Sequence, residues 1–273
     1  MRIRAIAAAA GMLSSALVAG IAVATAPAQA ATTVNMEAVV KAAQWDPYKD
    51  DQSLTPGAGD SVKAVEQALE AKDLLASKYV DGHFGTTTVD AYQKYQKSLG
   101  YSGLDASGLP GKGSLQKLGA GRYELSNPIS VGAKTTMDGK TVNARTADMI
   151  EAAEGKADQN LTLTQGSYNA GVGSSAGTHD GGGAVDISVS GLSDRNGVVK
   201  ALRQVGFAAW LRTPEQGDWP YHIHAVAISD TDMSPAAQAQ IGDYYKGLNG
   251  LASHGEDDGP QVKKVTWEEY QRG

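Results

Sequence analysis

The sequence predicts two domains, an all-α unit of three helices followed by an α+β unit. Three observations carry this expectation. Apolar residues recur at helical spacing between Asp60 and Leu118, in runs separated by glycine-rich loops. Two later segments, Ala184–Val189 and His222–Ile228, alternate as strands do. Between the two patterns lie Gly119-Ala120-Gly121, Pro128 and Gly132, which read as a seam. The expected boundaries are a signal peptide at 1–30, an N-terminal extension at 31–56, a helical unit at 57–121 and a linker at 122–130. A second unit follows at 131–253, with a tail at 254–273.

Composition narrows the function classes. Of 273 residues, 41% are hydrophobic and 20% charged, which excludes a wholly disordered chain. The formal net charge of −6 argues against nucleic acid as a partner, because no large basic patch is expected. There is no cysteine, so disulfide scaffolds, thiolate metal sites and thiol nucleophiles are all excluded.

The first segment reads as an address. Arg2 and Arg4 precede an apolar, alanine-rich run, and Ala28-Gln29-Ala30 is a small-x-small cleavage site. Gly11, Ser14, Ser15 and Gly20 dilute the run too far for a membrane anchor. The expectation is a secreted, extracellular monomer with no membrane partner after cleavage.

A short helix is expected around Met36–Gln44. Asp60 is a reasonable N-cap for a helix carrying Val62, Val65, Ala68 and Leu69 on one face. Asp81-Gly82 makes a tight turn, Phe84 plugs the core, and Thr86 or Thr87 caps the next helix, which Gly100 stops. A last short helix spans 112–118. His83, alone in its loop, is assigned no role.

These residues resemble a known family. A helix, Asp81-Gly82-His83-Phe84-Gly85, Tyr92-Gln93-Lys94-Tyr95-Gln96, then Gly108-Leu109-Pro110-Gly111 and Leu115-Gln116-Lys117-Leu118 look like the three-helix bacterial peptidoglycan-binding domain. The resemblance covers about residues 57–120. It implies peptidoglycan as a partner.

Candidate chemistry lies further on. Three of the five histidines fall in two short segments, His179 in the first and His222 and His224 in the second. Asp186 and Ser188 share one face of the Ala184–Val189 strand, opposite Val185 and Ile187. His222 and His224 share a face of their own strand, which suits one metal ligand beside one acid/base group. Gly181-Gly182-Gly183 lets the chain after His179 bend close to Asp186. Two histidines and an aspartate form a catalytic zinc set that leaves a position for water.

The second segment pair resembles another family. His179-x-x-Gly182-x-Ala184-x-Asp186 with His222-x-His224 looks like the zinc peptidases that include D-alanyl-D-alanine carboxypeptidases, lysostaphin-type endopeptidases and the hedgehog domain. The resemblance covers about residues 130–230 and implies a small antiparallel sheet in an α+β zinc-peptidase domain. It also implies Zn2+ on His179, Asp186 and His224, with His222 in acid/base work. Asp218 is a second candidate for that work, or a hydrogen-bond partner that fixes His222. The spacing and Tyr168-Asn169 favour the carboxypeptidase branch.

One departure stands out. Those carboxypeptidases carry an arginine just before the Tyr-Asn position, and here the stretch reads Thr164-Gln165-Gly166-Ser167-Tyr168-Asn169. Gln165, Tyr168, Asn169 and Arg212 are the candidate substrate-binding residues. Arg212 either supplies the missing positive group or is a surface arginine. The expected function is a secreted, cell-wall-associated peptidoglycan peptidase, a D,D-carboxypeptidase or an endopeptidase. The alternative is a non-catalytic zinc-containing wall-binding protein.

The remainder reads as scaffold. Helices are expected over Thr146–Ala157, from an Asp194 cap to Gly206, and from Ser234-Pro235 through Leu248. The acidic run 254–260 reads as a solvated loop, and no role is assigned to 261–273.

Overall fold

A computed structural model describes residues 32–251 and 253–273. The expected signal peptide lies outside them. No described helix is long and apolar enough to cross a membrane.

Strand β1 (Thr32–Asn35) leads directly into helix α1 (Met36–Trp45), whose N-cap Asn35 accepts from the Ala38 amide. Helices α2 (Gly59–Glu70), α3 (Thr86–Ser98) and α4 (Lys112–Gly119) form the expected trio. Phe84 is fully buried between them, as expected. The α3 cap differs from the expectation. Its N-cap is Gly85, and Thr88 instead donates to the buried Glu66 carboxylate. Glu66 also accepts from the Asp81 and Gly82 amides, so it fastens the loop that delivers Phe84. Gly82 has φ +90°, and a Cβ there would stand 2.9 Å from the Gly59 carbonyl oxygen.

Strand β2 (Tyr123–Ser126) pairs in parallel with β1. Strands β3 (Lys134–Met137) and β4 (Lys140–Asn143) form a hairpin around Asp138-Gly139, both at positive φ as such a tight turn requires. Asn143 caps helix α5 (Ala144–Ala157). Next come β5 (Leu163–Gln165), β6 (Ala184–Ser188), helix α6 (Arg195–Gln204) capped by Asp194, β7 (Phe207–Arg212) and β8 (His222–Ala227). Helix α7 (Pro235–Lys246) has Ser234 as N-cap and Pro235 at its first position. Helix α8 (Trp267–Arg272) closes with a Thr266–Glu269 capping box. The described chain is thus mixed α and β, with eight α-helices and small sheets.

The main sheet runs β5-β6-β8-β7, antiparallel throughout. One face presents Val185, Ile187, Ile223, Ala225 and Phe207 to Met149 and Ile150 of α5 and to Val198 and Leu202 of α6. The other face presents Ala184, Val226, Ala208 and Trp210 to a different core. That core holds Ile241 and Tyr244 of α7, Val39 and Val40 of α1, and runs on into α2, α3 and α4.

The seam therefore differs from the sequence expectation. The described residues, 32–251 and 253–273, form one compact unit. Residues 122–130, expected as a linker, contain β2 and the buried Ile129. The extension at 31–56 supplies β1 and α1 to the shared core. The tail is also structured. Glu268 binds Arg145 and Glu269 binds Lys41, while Asp257 of the acidic run is buried against Arg203 at 2.8 Å.

Candidate metal centre

Register brings the expected residues together. Asp186 on β6 lies opposite His224 on β8, and His224 lies opposite Trp210 on β7. Two residues along, Ser188, His222 and Arg212 form the next cross-strand row on that face. All six side chains leave the same face of the sheet.

His179 arrives from a loop. Its backbone carbonyl accepts from the Asn169 amide, and Gly181 accepts from the Tyr168 amide. Gly182 donates to the Asp232 carbonyl at 2.9 Å. A Cβ on Gly181 would collide with the Asp232 carbonyl oxygen, which is why the triple glycine can lie so close to that segment.

Each histidine has one nitrogen committed to an acceptor. His179 Nδ1 donates to the Gly166 carbonyl at 2.9 Å. His222 Nδ1 donates to the Pro220 carbonyl at 2.7 Å. His224 Nε2 donates to Gln240 Oε1 at 2.7 Å, and Gln240 Nε2 donates to the Gly250 carbonyl, which fixes the amide's orientation. The other nitrogens converge on Asp186 Oδ1, at 3.4 Å from His179 Nε2, 3.6 Å from His222 Nε2 and 2.8 Å from His224 Nδ1.

A neutral imidazole has one N–H, and in each ring an acceptor already uses it. Three nitrogen lone pairs and a carboxylate oxygen thus face one another with no proton to share. A cation resolves that arrangement. Ligand atoms of His179, Asp186 and His224 all lie within 4.8 Å of one another, so this buried group could hold a metal ion. His222 does not join that set. It faces the group from one side and is mostly buried.

The electrostatics fit. Burial lowers the pKa of His224 against the opposing pull of Asp186, which favours the neutral ligand form.

The group opens into a cleft of about 880 Å³. Its lining includes Gln165, Ser188, Arg212, Trp219, Tyr221 and Gln240. Gln165 is placed there, donating to Ser175 Oγ at 2.7 Å. Arg212 is placed there too, and it is no surface residue, being only 3% exposed.

Three candidates stand elsewhere. Tyr168 and Asn169 do not line the cleft. Their amides hold the His179 loop, and the Tyr168 hydroxyl donates to Asp232 at 2.8 Å. Asp218 is exposed and outside the lining, and the Pro220 carbonyl takes the place foreseen for it on His222. Sequence reasoning missed Gln240 and Trp219. Trp219, two residues before Tyr221, carried a usable signal as an aromatic beside the histidine strand.

No protein family, curated protein or solved structure matches the chain.

Proposed function

We propose that this protein is a secreted zinc-dependent peptidase that hydrolyses a peptide bond in the stem peptides of peptidoglycan. The observation that carries the reading is the convergence of three pre-set imidazole lone pairs on Asp186 at the floor of an open cleft. His179, Asp186 and His224 would hold the ion. Two nitrogens and one oxygen without cysteine suit zinc in an open, catalytic arrangement, since a closed structural site takes four protein ligands. Zinc, when bound, supplies Lewis acidity toward a carbonyl and toward water.

The remaining steps belong to the chain. His222 keeps its ring proton on Nδ1, through Pro220, and turns a bare Nε2 toward the centre. It accepts a proton from the attacking water and returns it to the departing amine. Gln240 holds the ring of His224, and Gly166 that of His179, so neither ligand has to reorient. Gln165, on the edge strand β5, offers hydrogen bonds to an extended peptide in the cleft.

The helices over 57–121, with their resemblance to a wall-binding unit, would hold the enzyme on insoluble substrate. Sharing a core with the sheet, they would keep the cleft beside the polymer. Cell-wall association outside the cell and a monomeric state complete the reading.

The test uses protein lacking residues 1–30 on purified peptidoglycan, before chelation, after it, and after zinc is restored. New amino groups should appear, vanish and return. Hydrolysis that survives chelation, or none with zinc bound, overturns the proposal.

A further inference from the structure

Among the described residues, three arginines are buried: Arg145, Arg203 and Arg212. Arg145 is held by Glu268 and Arg203 by Asp257, each at 2.8 Å, and no described carboxylate pairs with Arg212. Arg212 Nη1 donates to the Asn249 backbone carbonyl at 2.6 Å, and Nη2 is buried without a partner. A buried cation without a counter-ion is costly. Burial lowers its pKa to about 10, so it stays charged at neutral pH.

The carbonyl that Arg212 holds belongs to an Asn-Gly pair. The sequence has two such pairs, Asn196-Gly197 and Asn249-Gly250. In such a pair the glycine nitrogen can attack the asparagine Cγ, because no side chain on the second residue blocks the approach. The fold treats the two pairs differently. Gly197 lies in the first turn of α6, and its amide donates to Asp194 Oδ1 at 2.8 Å. That nitrogen is committed to a cap. No described residue accepts from the Gly250 amide. Gly250 is itself fixed by the fold, with φ +66° and room for no Cβ, which would stand 3.0 Å from the Trp210 ring. The Leu251 amide donates to Asn249 Oδ1 at 3.0 Å, which supports the oxyanion formed on attack at Cγ. Arg212 Nη2 would lie 3.4 Å from that same Cβ, so positive charge stands beside the nitrogen that must lose its proton. Gly250 and Leu251 line the cleft, so water reaches the pair.

We propose that Asn249 is a self-modification site, closing onto the Gly250 nitrogen as a succinimide and opening to an isoaspartate whose carboxylate pairs with Arg212. The atoms balance with water alone. The Gly250 nitrogen gives up its proton and bonds to Asn249 Cγ. The side-chain nitrogen leaves Cγ with that proton, as ammonia. Water then adds hydroxyl to one ring carbonyl carbon and a proton to the ring nitrogen as their C–N bond breaks. When the backbone carbonyl carbon is attacked, the main chain runs on through Cγ. The former backbone carbonyl becomes a free carboxylate, and it already faces Nη1. Its second oxygen meets the unpartnered Nη2, so the planar fork is filled.

The change reaches the metal centre. The main chain between Asn249 Cα and the Gly250 nitrogen gains an atom, so the Gly250 carbonyl must shift. That carbonyl accepts from Gln240 Nε2 at 3.2 Å, and Gln240 holds the ring of His224. The centre therefore slackens as the protein ages. None of this depends on the peptidase reading, since a chain that cuts nothing would convert as well.

The test ages protein lacking residues 1–30 in mildly alkaline buffer, with and without urea, and maps its peptides by mass. Isoaspartate is read by enzymatic methylation of its free carboxylate. In the folded protein Asn249 should convert at least about tenfold faster than Asn196, the effect of a hydrogen bond or two on a barrier. In urea the two pairs should convert at similar rates. The isoaspartate share at 249 should be higher folded than in urea, and Arg212→Gln should remove that excess. Aged protein should bind zinc about 10- to 100-fold more weakly against a chromophoric chelator, and Asn249→Gln aged alike should not change. If Asn249 converts no faster than Asn196 in the folded protein, the site is overturned. An equal isoaspartate share in folded and unfolded protein would overturn the pairing with Arg212, and an unchanged zinc affinity would overturn the link to the centre. All three decisions are read on the unaltered protein, so they stand should the variants fail to fold.

Discussion

Gln240 of α7 accepts the Nε2 proton of His224 at 2.7 Å, and so leaves Nδ1 as the nitrogen that faces Asp186. The two residues come from different elements, and the contact joins helix to sheet at the centre. Removing it frees the ring to turn or to change tautomer.

Gln240→Leu is therefore expected to weaken zinc binding by about 10- to 100-fold. Competition against a chromophoric chelator measures it. An unchanged affinity would show that packing against Trp210 and His179 alone fixes the ring.

His222 and His179 should separate cleanly. His222→Ala should keep a full equivalent of zinc and lose about 10²- to 10⁴-fold in turnover, as expected for an acid/base group. His179→Ala should lose the metal itself. Metal content and hydrolysis rate measured on the same preparations check both. Full activity in His222→Ala would return the acid/base role to another group.

Gly181→Ala should damage the centre without touching a ligand. The added methyl meets the Asp232 carbonyl oxygen and the Ser234 amide, so the loop carrying His179 must move. Overpacking of this kind costs about 1–3 kcal/mol, and thermal unfolding together with zinc affinity should both fall. Normal values for both would mean that the loop position is not set by this contact.

Glu66 predicts a pH dependence far from the cleft. Burial pushes its carboxyl up to about 7, against hydrogen bonds from Gly82 and Thr88, while its ordinary value is 4.5. The folded state then holds a proton that the unfolded chain has released. Between about 4.5 and about 7 stability falls as pH rises, by up to ~3 kcal/mol, and it levels off above that window. Glu66→Gln should flatten this slope in urea unfolding series. A slope unchanged by the substitution would place its origin elsewhere.

The centre was legible because its geometry is local in sequence. Alternation along β6 and β8 puts Asp186, His222 and His224 on predictable faces, and three glycines explain the approach of His179. Gln240 was not legible. It reaches His224 only because α7 folds back over the sheet, and a lone glutamine in a helix carries no signal. Asp218 and Asn169 show the reverse error, since nearness in sequence to a histidine did not bring either into the cleft. The three helices were readable from their apolar spacing and their Gly and Asp-Gly breaks. The union of the two units was not. Ala184, Ala208 and Val226 announce a buried sheet face but not which helices cover it, and Gly121 and Pro128 read as a linker although Tyr123–Ser126 pairs with β1. Arg212 shows both limits, because its charge was visible in the sequence and its burial without a partner was not.

The most direct measurement is X-ray absorption and crystallography on zinc-loaded protein, read for the number and identity of protein ligands. One zinc should be held by His179 Nε2, Asp186 Oδ1 and His224 Nδ1 at about 2.0–2.2 Å, with His222 unbound beside it. A zinc closed off by His222 as a fourth protein ligand would contradict it, and would make the site structural rather than catalytic.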